Sequence, residues 1–203
     1  MKVGFFGGTF DPIHLGHLNL AIEVQEKFEL DEVLFCPNAL SPHKQLGPPT
    51  ALAFHRLQMV RLALEALPYP FFASDVEIQE GRSCYTIDTI KFLIERANKE
   101  KSETEFHLLL GEDALPGLNQ WKDIEQLISL APPIIGSRLG SVQSMQKFPD
   151  FLVKAIQKGM FITPLMDISS TNIRYRLLHR KYCGHLLPLK VLDYIEHYQL
   201  YSY

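Results

Sequence analysis

Short apolar runs alternate with stretches of helical periodicity along most of this chain, and no other property narrows the choice of fold as much. Lys2 to Phe6 is a strand-like run closed by Gly7 and Gly8, and Ile13 to Phe28 follows with apolar residues at helical spacing. The pattern recurs. Glu32 to Pro37 reads as a buried strand, Ala51 to Leu67 as a helix stopped by Pro68, Phe71 to Val76 as a strand and Thr86 to Lys99 as a helix. Glu105 to Leu110, the apolar pair Ile134 and Ile135, and Met160 to Thr163 read as further strands, with a helix over Leu118 to Leu130. Helices over Ser170 to Arg180 and Leu189 to Gln199 close the chain, the first with Ser169 as its N-cap.

Parallel strands need crossover connections, and right-handed crossovers stack helices on both faces of a sheet. The alternation therefore predicts a doubly wound α/β fold, a mostly parallel sheet with helices at its C-terminal end. Its 203 residues suit one domain spanning 1–203, of which 164–203 is a helical portion. Ligands of such sheets bind outside the carboxyl ends of the strands. That rule points to the loops at Gly7 to His17, Asn38 to Lys44, Gly111 to Trp121 and Arg138 onward.

A formal net charge of -3 gives no support to a nucleic-acid or anionic-membrane partner, which calls for a basic face. No run approaches the about 20 apolar residues of a membrane span, since Pro132 and Pro133 interrupt even Leu127 to Ile135. Cys36, Cys84 and Cys183 are odd in number and lack the paired spacing of a zinc or redox motif, so they read as reduced thiols of a cytoplasmic protein. Ser137 to Gln146 is a largely polar stretch.

Two glycines after a buried strand let a phosphate approach the backbone, and the helix that follows aims free N–H groups and its positive dipole end at the same place. His14 and His17, three residues apart at this helix start, can face one ligand. Imidazoles there can donate to phosphate oxygens or hold a metal. No third ligand stands at an obvious spacing, and a helical metal pair is usually four apart. Ser169, Ser170 and Thr171 before Arg174 form a second helix start suited to an anion or to an ordinary capped helix.

The string Gly7-Gly8-Thr9-Phe10-Asp11-Pro12-Ile13-His14-Leu15-Gly16-His17 resembles the Gly-Gly-Thr-Phe-Asp-Pro-x-His-x-Gly-His segment of the nucleotidyltransferases related to class I aminoacyl-tRNA synthetases. Pro42-His43-Lys44, Tyr85-Thr86-Ile87-Asp88-Thr89, Gly111-Glu112-Asp113 with Trp121, and Ile168-Ser169-Ser170-Thr171-Asn172-Ile173-Arg174 are similar to further motifs of one branch, the nicotinate mononucleotide adenylyltransferases. The resemblance spans nearly the whole chain. Three positions depart from it: Cys84 stands where serine is expected, Leu40-Ser41 leads into Pro-His-Lys, and Leu139 replaces proline after Arg138.

The resemblance implies a Rossmann-like fold and transfer of the adenylyl group of ATP to nicotinate mononucleotide, giving deamido-NAD and pyrophosphate. It implies that Gly8, Thr9 and Phe10 contact the dinucleotide and that His14, His17, Lys44 and Arg174 hold the triphosphate, with Ser169 and Thr171 assisting. Arg138 would reach a phosphate. Gly111 and Asp113 would meet the adenosine and its ribose, Trp121 would stack on the pyridine ring, and the Thr86 amide would receive the nicotinate carboxylate. Mg2+ bound mainly through ATP phosphates is expected, with no protein metal site. The expected partners are these two nucleotides, with a homo-oligomer left open. Rival readings are adenylyl transfer to nicotinamide mononucleotide or phosphopantetheine, a non-catalytic nucleotide sensor, and a tRNA-charging enzyme, for which 203 residues leave little room.

Overall fold

A computed structural model describes residues 1–40, 51–137, 148–164 and 166–202. Six strands form one sheet: β1 (Lys2–Gly8), β2 (Glu32–Pro37), β3 (Phe71–Ala73), β4 (Glu105–Gly111), β5 (Pro133–Ser137) and β6 (Met160–Ile162). Their order is β3-β2-β1-β4-β5-β6, and β1 pairs with β4, β4 with β5 and β5 with β6 in parallel register. From β1 the chain winds outward through β2 and β3, then crosses to β4 on the other flank of β1 and continues to β6. The fold is the doubly wound α/β expected from the alternation, and its winding reverses between β1 and β4.

The residues group into two compact units: Met1–Gly7, Leu20–Leu34 and Tyr85–Leu165, and then Gly8–Asn19, Phe35–Cys84 and Met166–Tyr203. The first contains β4, β5, β6 and the helices α4 (Thr86–Lys99), α5 (Ile124–Leu130) and α6 (Asp150–Gly159). β5 lies between two strands and is buried at every residue, which is why its sequence is a continuous apolar run without alternation. Leu109, Ile135, Leu127 and Ile156 are fully enclosed, each contributing about 1.5–3 kcal/mol of burial. Gly159 closes α6 where a Cβ would overlap the Pro133 carbonyl, so this close approach of helix and strand requires glycine.

The second unit contains α2 (Ala53–Leu64), β3, α3 (Val76–Glu80), α7 (Ser170–Leu178) and α8 (Leu189–His197). α2 packs on β3 and α8, burying Met59, Val60 and Val191. Helix α1 (Leu15–Phe28) starts in this unit and ends in the first.

β2 and α4 have the bounds read from the sequence. Other elements differ. The stretch Leu118 to Leu130 is not one helix: a 3₁₀ turn at Leu118–Gln120 gives way to extended Trp121 (ψ 142), and Asp123 adopts a left-handed φ of 49 before α5 begins. β3 ends at Ala73 and α3 takes up Val76, stopped by Gly81 at φ 64. α6 was not foreseen, its apolar face being short and beginning just after the polar stretch. α2 ends at Leu64, α7 at Leu178 and α8 at His197, each short of its expected end.

Candidate active site

The loop from Gly8 to His17 is built around a buried ring. Phe10 adopts a left-handed φ of 50 and is 2% exposed, its ring set edge-on to His17 at 5.0 Å and against Phe35 at 5.8 Å. A Cβ on Gly8 would come within 2.9 Å of the Phe10 ring, so the ring can fold over this turn only because Gly8 has no side chain.

Helix α1 begins later than its periodicity suggests, and the reason lies in the two histidines. The His14 carbonyl accepts from the Leu18 amide at 3.3 Å, which makes His14 the capping residue of the helix. His17 is then its third residue, and its Nδ1 accepts from the His14 amide at 3.2 Å. This is the backward half of a capping box, with imidazole in the place of glutamate. A neutral His17 so engaged carries its proton on Nε2. The two rings stack with centroids 3.7 Å apart. His14 is 6% exposed, its Nδ1 has no hydrogen-bond partner among the described residues, and burial lowers its pKa to about 4, so it is neutral at physiological pH.

The helix start at Ser169 to Arg174 seats directly on the loop at Asp11 and Pro12. Ser170 Oγ donates to the Pro12 carbonyl at 2.9 Å and Arg174 Nη1 donates to the Asp11 carbonyl at 2.7 Å, across 158 and 163 residues of sequence. Arg174 Nη2 also donates to Thr171 Oγ1 at 3.4 Å, and Ser169 caps α7 by accepting from the Asn172 amide at 3.2 Å. A cap of this kind is worth about 1 kcal/mol. Gly8, Thr9, Phe10, His14, His17, Ser169, Thr171 and Arg174 thus belong to one unit, while Lys44 and Arg138 lie outside the described residues.

Two residues that the sequence reading passed over hold this loop. Arg56 is fully buried, and its guanidinium donates to the carbonyls of Thr9 (2.6 Å), Asn38 (2.6 Å), Ala39 (3.1 Å) and Ala51 (3.2 Å). It fastens the Gly8 to His17 loop, the end of β2 and the start of α2 to one cation. Burial lowers the Arg56 pKa, and the charge of Asp11 opposes that effect. Asp11 itself is 3% exposed and accepts at Oδ1 from the Ala51 amide at 3.2 Å. A signal for Arg56 existed in the sequence: it stands four residues before Val60 and seven before Ala63, on the apolar stripe of α2.

The other expected site residues belong to the first unit. Thr86 is the first residue of α4, where amides have no intrahelical acceptor, and the preceding Tyr85 is extended with no side-chain cap bond. Trp121 is half-buried, and the adjacent Lys122 ties its segment to that helix start. Lys122 Nζ lies 3.0 and 3.1 Å from the Asp88 carboxylate oxygens and 4.8 Å from the centre of the Tyr85 ring. Gly111 ends β4, and its missing Cβ leaves room for the exposed Asp113 carboxylate to fold back over it. Beside them, fully buried Ser137 donates to Glu112 Oε2 at 3.1 Å. Among the described residues, no three His, Cys, Asp or Glu side chains converge to hold a metal ion.

Known proteins share both the sequence and the fold. The family model described as cytidylyltransferase-like matches residues 5–176. A protein of Desulfatibacillum aliphaticivorans named "probable nicotinate-nucleotide adenylyltransferase" is 36% identical, covering 99% of this chain and 100% of its own. A protein of the same name from Bacillus licheniformis is 33% identical over 99% of this chain and 98% of its own. The solved structure of the Plasmodium falciparum nicotinic acid mononucleotide adenylyltransferase complexed with NaAD superposes with a TM-score of 0.76 at 22% identity, covering 98% of this chain and 97% of that one.

Proposed function

Because this chain belongs to the cytidylyltransferase-like family and aligns end to end with nicotinate-nucleotide adenylyltransferases, we propose that it transfers the adenylyl group of ATP to nicotinate mononucleotide. The products are deamido-NAD and pyrophosphate, and the reaction belongs to NAD biosynthesis. The observation that carries this reading is the docking of α7 on the phosphate loop, where Ser170 and Arg174 bond the backbone of Pro12 and Asp11. Two anion-binding elements far apart in sequence are thereby made into one polyphosphate site.

The chemistry needs no protein nucleophile. The mononucleotide phosphate attacks the α-phosphorus of ATP in line, a new P–O bond forms, and the bond from the α-phosphorus to the β-phosphate bridge breaks with its electron pair leaving on pyrophosphate. The protein's task is to position both phosphates and offset the negative charge of the departing group. His17, with its Nε2 proton set by the bond at Nδ1, donates to a triphosphate oxygen. Neutral His14 stacks beneath it and assists as a hydrogen-bonding group without adding charge. Arg174 supplies the fixed cation, Lys44 and Arg138 further ones, Ser169 and Thr171 polar contacts, and Gly8, Thr9 and Phe10 a close backbone surface for the nucleotide.

In the first unit, Gly111 and Asp113 receive the adenosine and its ribose hydroxyls, and Trp121 stacks on the pyridine. The Thr86 amide receives the nicotinate carboxylate, which favours the acid over the amide. The donor set suits Mg2+ carried by ATP oxygens, where the ion offsets triphosphate charge; His14, His17 and Arg174 would hold the phosphates that carry it. We further propose that residues 1–203 work as one nucleotidyltransferase domain, with 164–203 as its helical portion, in the cytoplasm and without nucleic acid. Among the described residues no helix is long and apolar enough to cross a membrane.

Purified protein given Mg2+, ATP and nicotinate mononucleotide should release deamido-NAD and pyrophosphate in equal amounts. Nicotinamide mononucleotide should react more slowly and phosphopantetheine not at all. Absence of both products with the acid substrate would overturn the proposal.

A further inference from the structure

Three residues beyond the cap of α8, a side chain returns to the phosphate loop. Tyr201 Oη donates to Asp11 Oδ1 at 2.6 Å, a bond across 190 residues with the length of a charge-assisted O–H···O⁻ contact. Gln199 and Tyr201 reach this arrangement at left-handed φ values of 51 and 64, a region non-glycine residues avoid. The turn is fastened by the Leu200 amide on the Ile195 carbonyl (3.0 Å) and by Ser202 Oγ on the Gln199 carbonyl (2.7 Å). Backbone so constrained serves to aim the phenol.

What the phenol holds is the seat of Arg174. Asp11 gives its carbonyl to Arg174 Nη1 at 2.7 Å, and its Oδ2 lies 3.9 Å from the same nitrogen. The Ala51 amide makes a longer bond to Oδ1, at 3.2 Å. Without the phenol, Oδ1 loses its 2.6 Å bond, and the residue that gives Arg174 a carbonyl at 2.7 Å and a carboxylate oxygen at 3.9 Å is held less firmly. Burial and the adjacent Asp11 charge both push the Tyr201 pKa up, which keeps the phenol protonated as a donor.

We propose that Tyr201 is a positioning residue for adenylyl transfer, acting through Asp11 to set the place and orientation of the Arg174 guanidinium. The assignment rests on the reading of Arg174 as a triphosphate-binding group. It touches no substrate itself.

A double-mutant cycle tests it, with Tyr201→Phe and Arg174→Lys made singly and together, and both kcat and Mg-ATP affinity measured. Tyr201→Phe alone should lower kcat about tenfold, as loss of a hydrogen bond to a charged group does. In the Arg174→Lys background the same change should alter kcat less than about twofold, because the group being positioned is already replaced. Equal losses in both backgrounds would mean a general structural role and overturn the proposal. If the wild-type protein shows no turnover, the functional reading fails by itself, and the cycle in ATP affinity still decides the role of Tyr201 by the same criterion. Should Tyr201→Phe not fold, 3-fluorotyrosine at 201 preserves the shape. Its phenol should stay protonated through the pH range in which free fluorotyrosine ionises, and ionisation in the ordinary range would refute the bond to Asp11.

Discussion

The Gly8 to His17 loop with its α7 partner and the Thr86–Trp121 region are held by opposite kinds of interaction. Around the loop the fastening groups are buried or half-buried: fully buried Arg56 donates to carbonyls from four residues, buried Asp11 accepts from Ala51 and Tyr201, and half-buried Ser170 and Arg174 bond the backbone itself. Near Thr86 and Trp121 an exposed lysine, Lys122, rests on an exposed carboxylate and ring. The contrast suits the tasks proposed for the two regions. Stabilising charge on a leaving group requires donors already in place, because reorganisation during reaction costs rate. Stacking a flat ring tolerates small displacements.

If the contrast is right, removing the buried fastener has the largest effect. Arg56→Met should cost about 3–5 kcal/mol of stability, since it leaves Asp11 short of a neutralising cation and strands carbonyls in the core. Urea unfolding measures this, and a loss below about 1 kcal/mol would break the claim that the loop depends on Arg56.

Next in size, His17→Ala should lower kcat about 10²–10³-fold, the usual effect of deleting one preorganised donor, with the melting temperature little changed. A fully active variant would remove His17 from the mechanism.

His14 yields a pH prediction. Its folded pKa of about 4 lies below the ordinary 6.5, so between those values the unfolded chain binds more protons and stability falls as pH falls. The contribution is fully present above about pH 6.5 and amounts to about 3 kcal/mol lost by pH 4. Unfolding followed across that window should show a slope that His14→Gln abolishes; an unchanged slope would place its origin elsewhere.

The smallest effect is expected in the exposed region. Lys122→Ala should leave kcat and the melting temperature unchanged while raising the KM for the mononucleotide about threefold, through looser placement of Trp121. A large fall in kcat would erase the distinction between the regions.

Much of the fold was legible because it is local. A strand buried on both faces must be continuously apolar, as β5 is, and an amphipathic helix must repeat its apolar face, as α4 does. Local reading failed at Trp121 and Asp123, whose backbone leaves the helix although the apolar spacing of Leu118 to Leu130 continues through them. The chemistry-bearing strings around His14 and Arg174 were legible as motifs, yet the bonds joining them were not. Arg56 was passed over for a different reason: a charge on an apolar stripe can be explained only when its acceptors are known.

The sequence alone determined the alternation of strand and helix, and with it the doubly wound sheet, because periodicity is read within ten or twenty residues. It also placed Gly8, His14 and His17 at a strand-to-helix turn, the kind of place where backbone amides can receive an anion. Only the tertiary structure decided that Ser170 and Arg174 rest on Pro12 and Asp11, that Arg56 is the buried fastener, and that Tyr201 closes the network. Buried polar groups must find partners, and partners 47 to 190 residues away are chosen by the path of the whole chain.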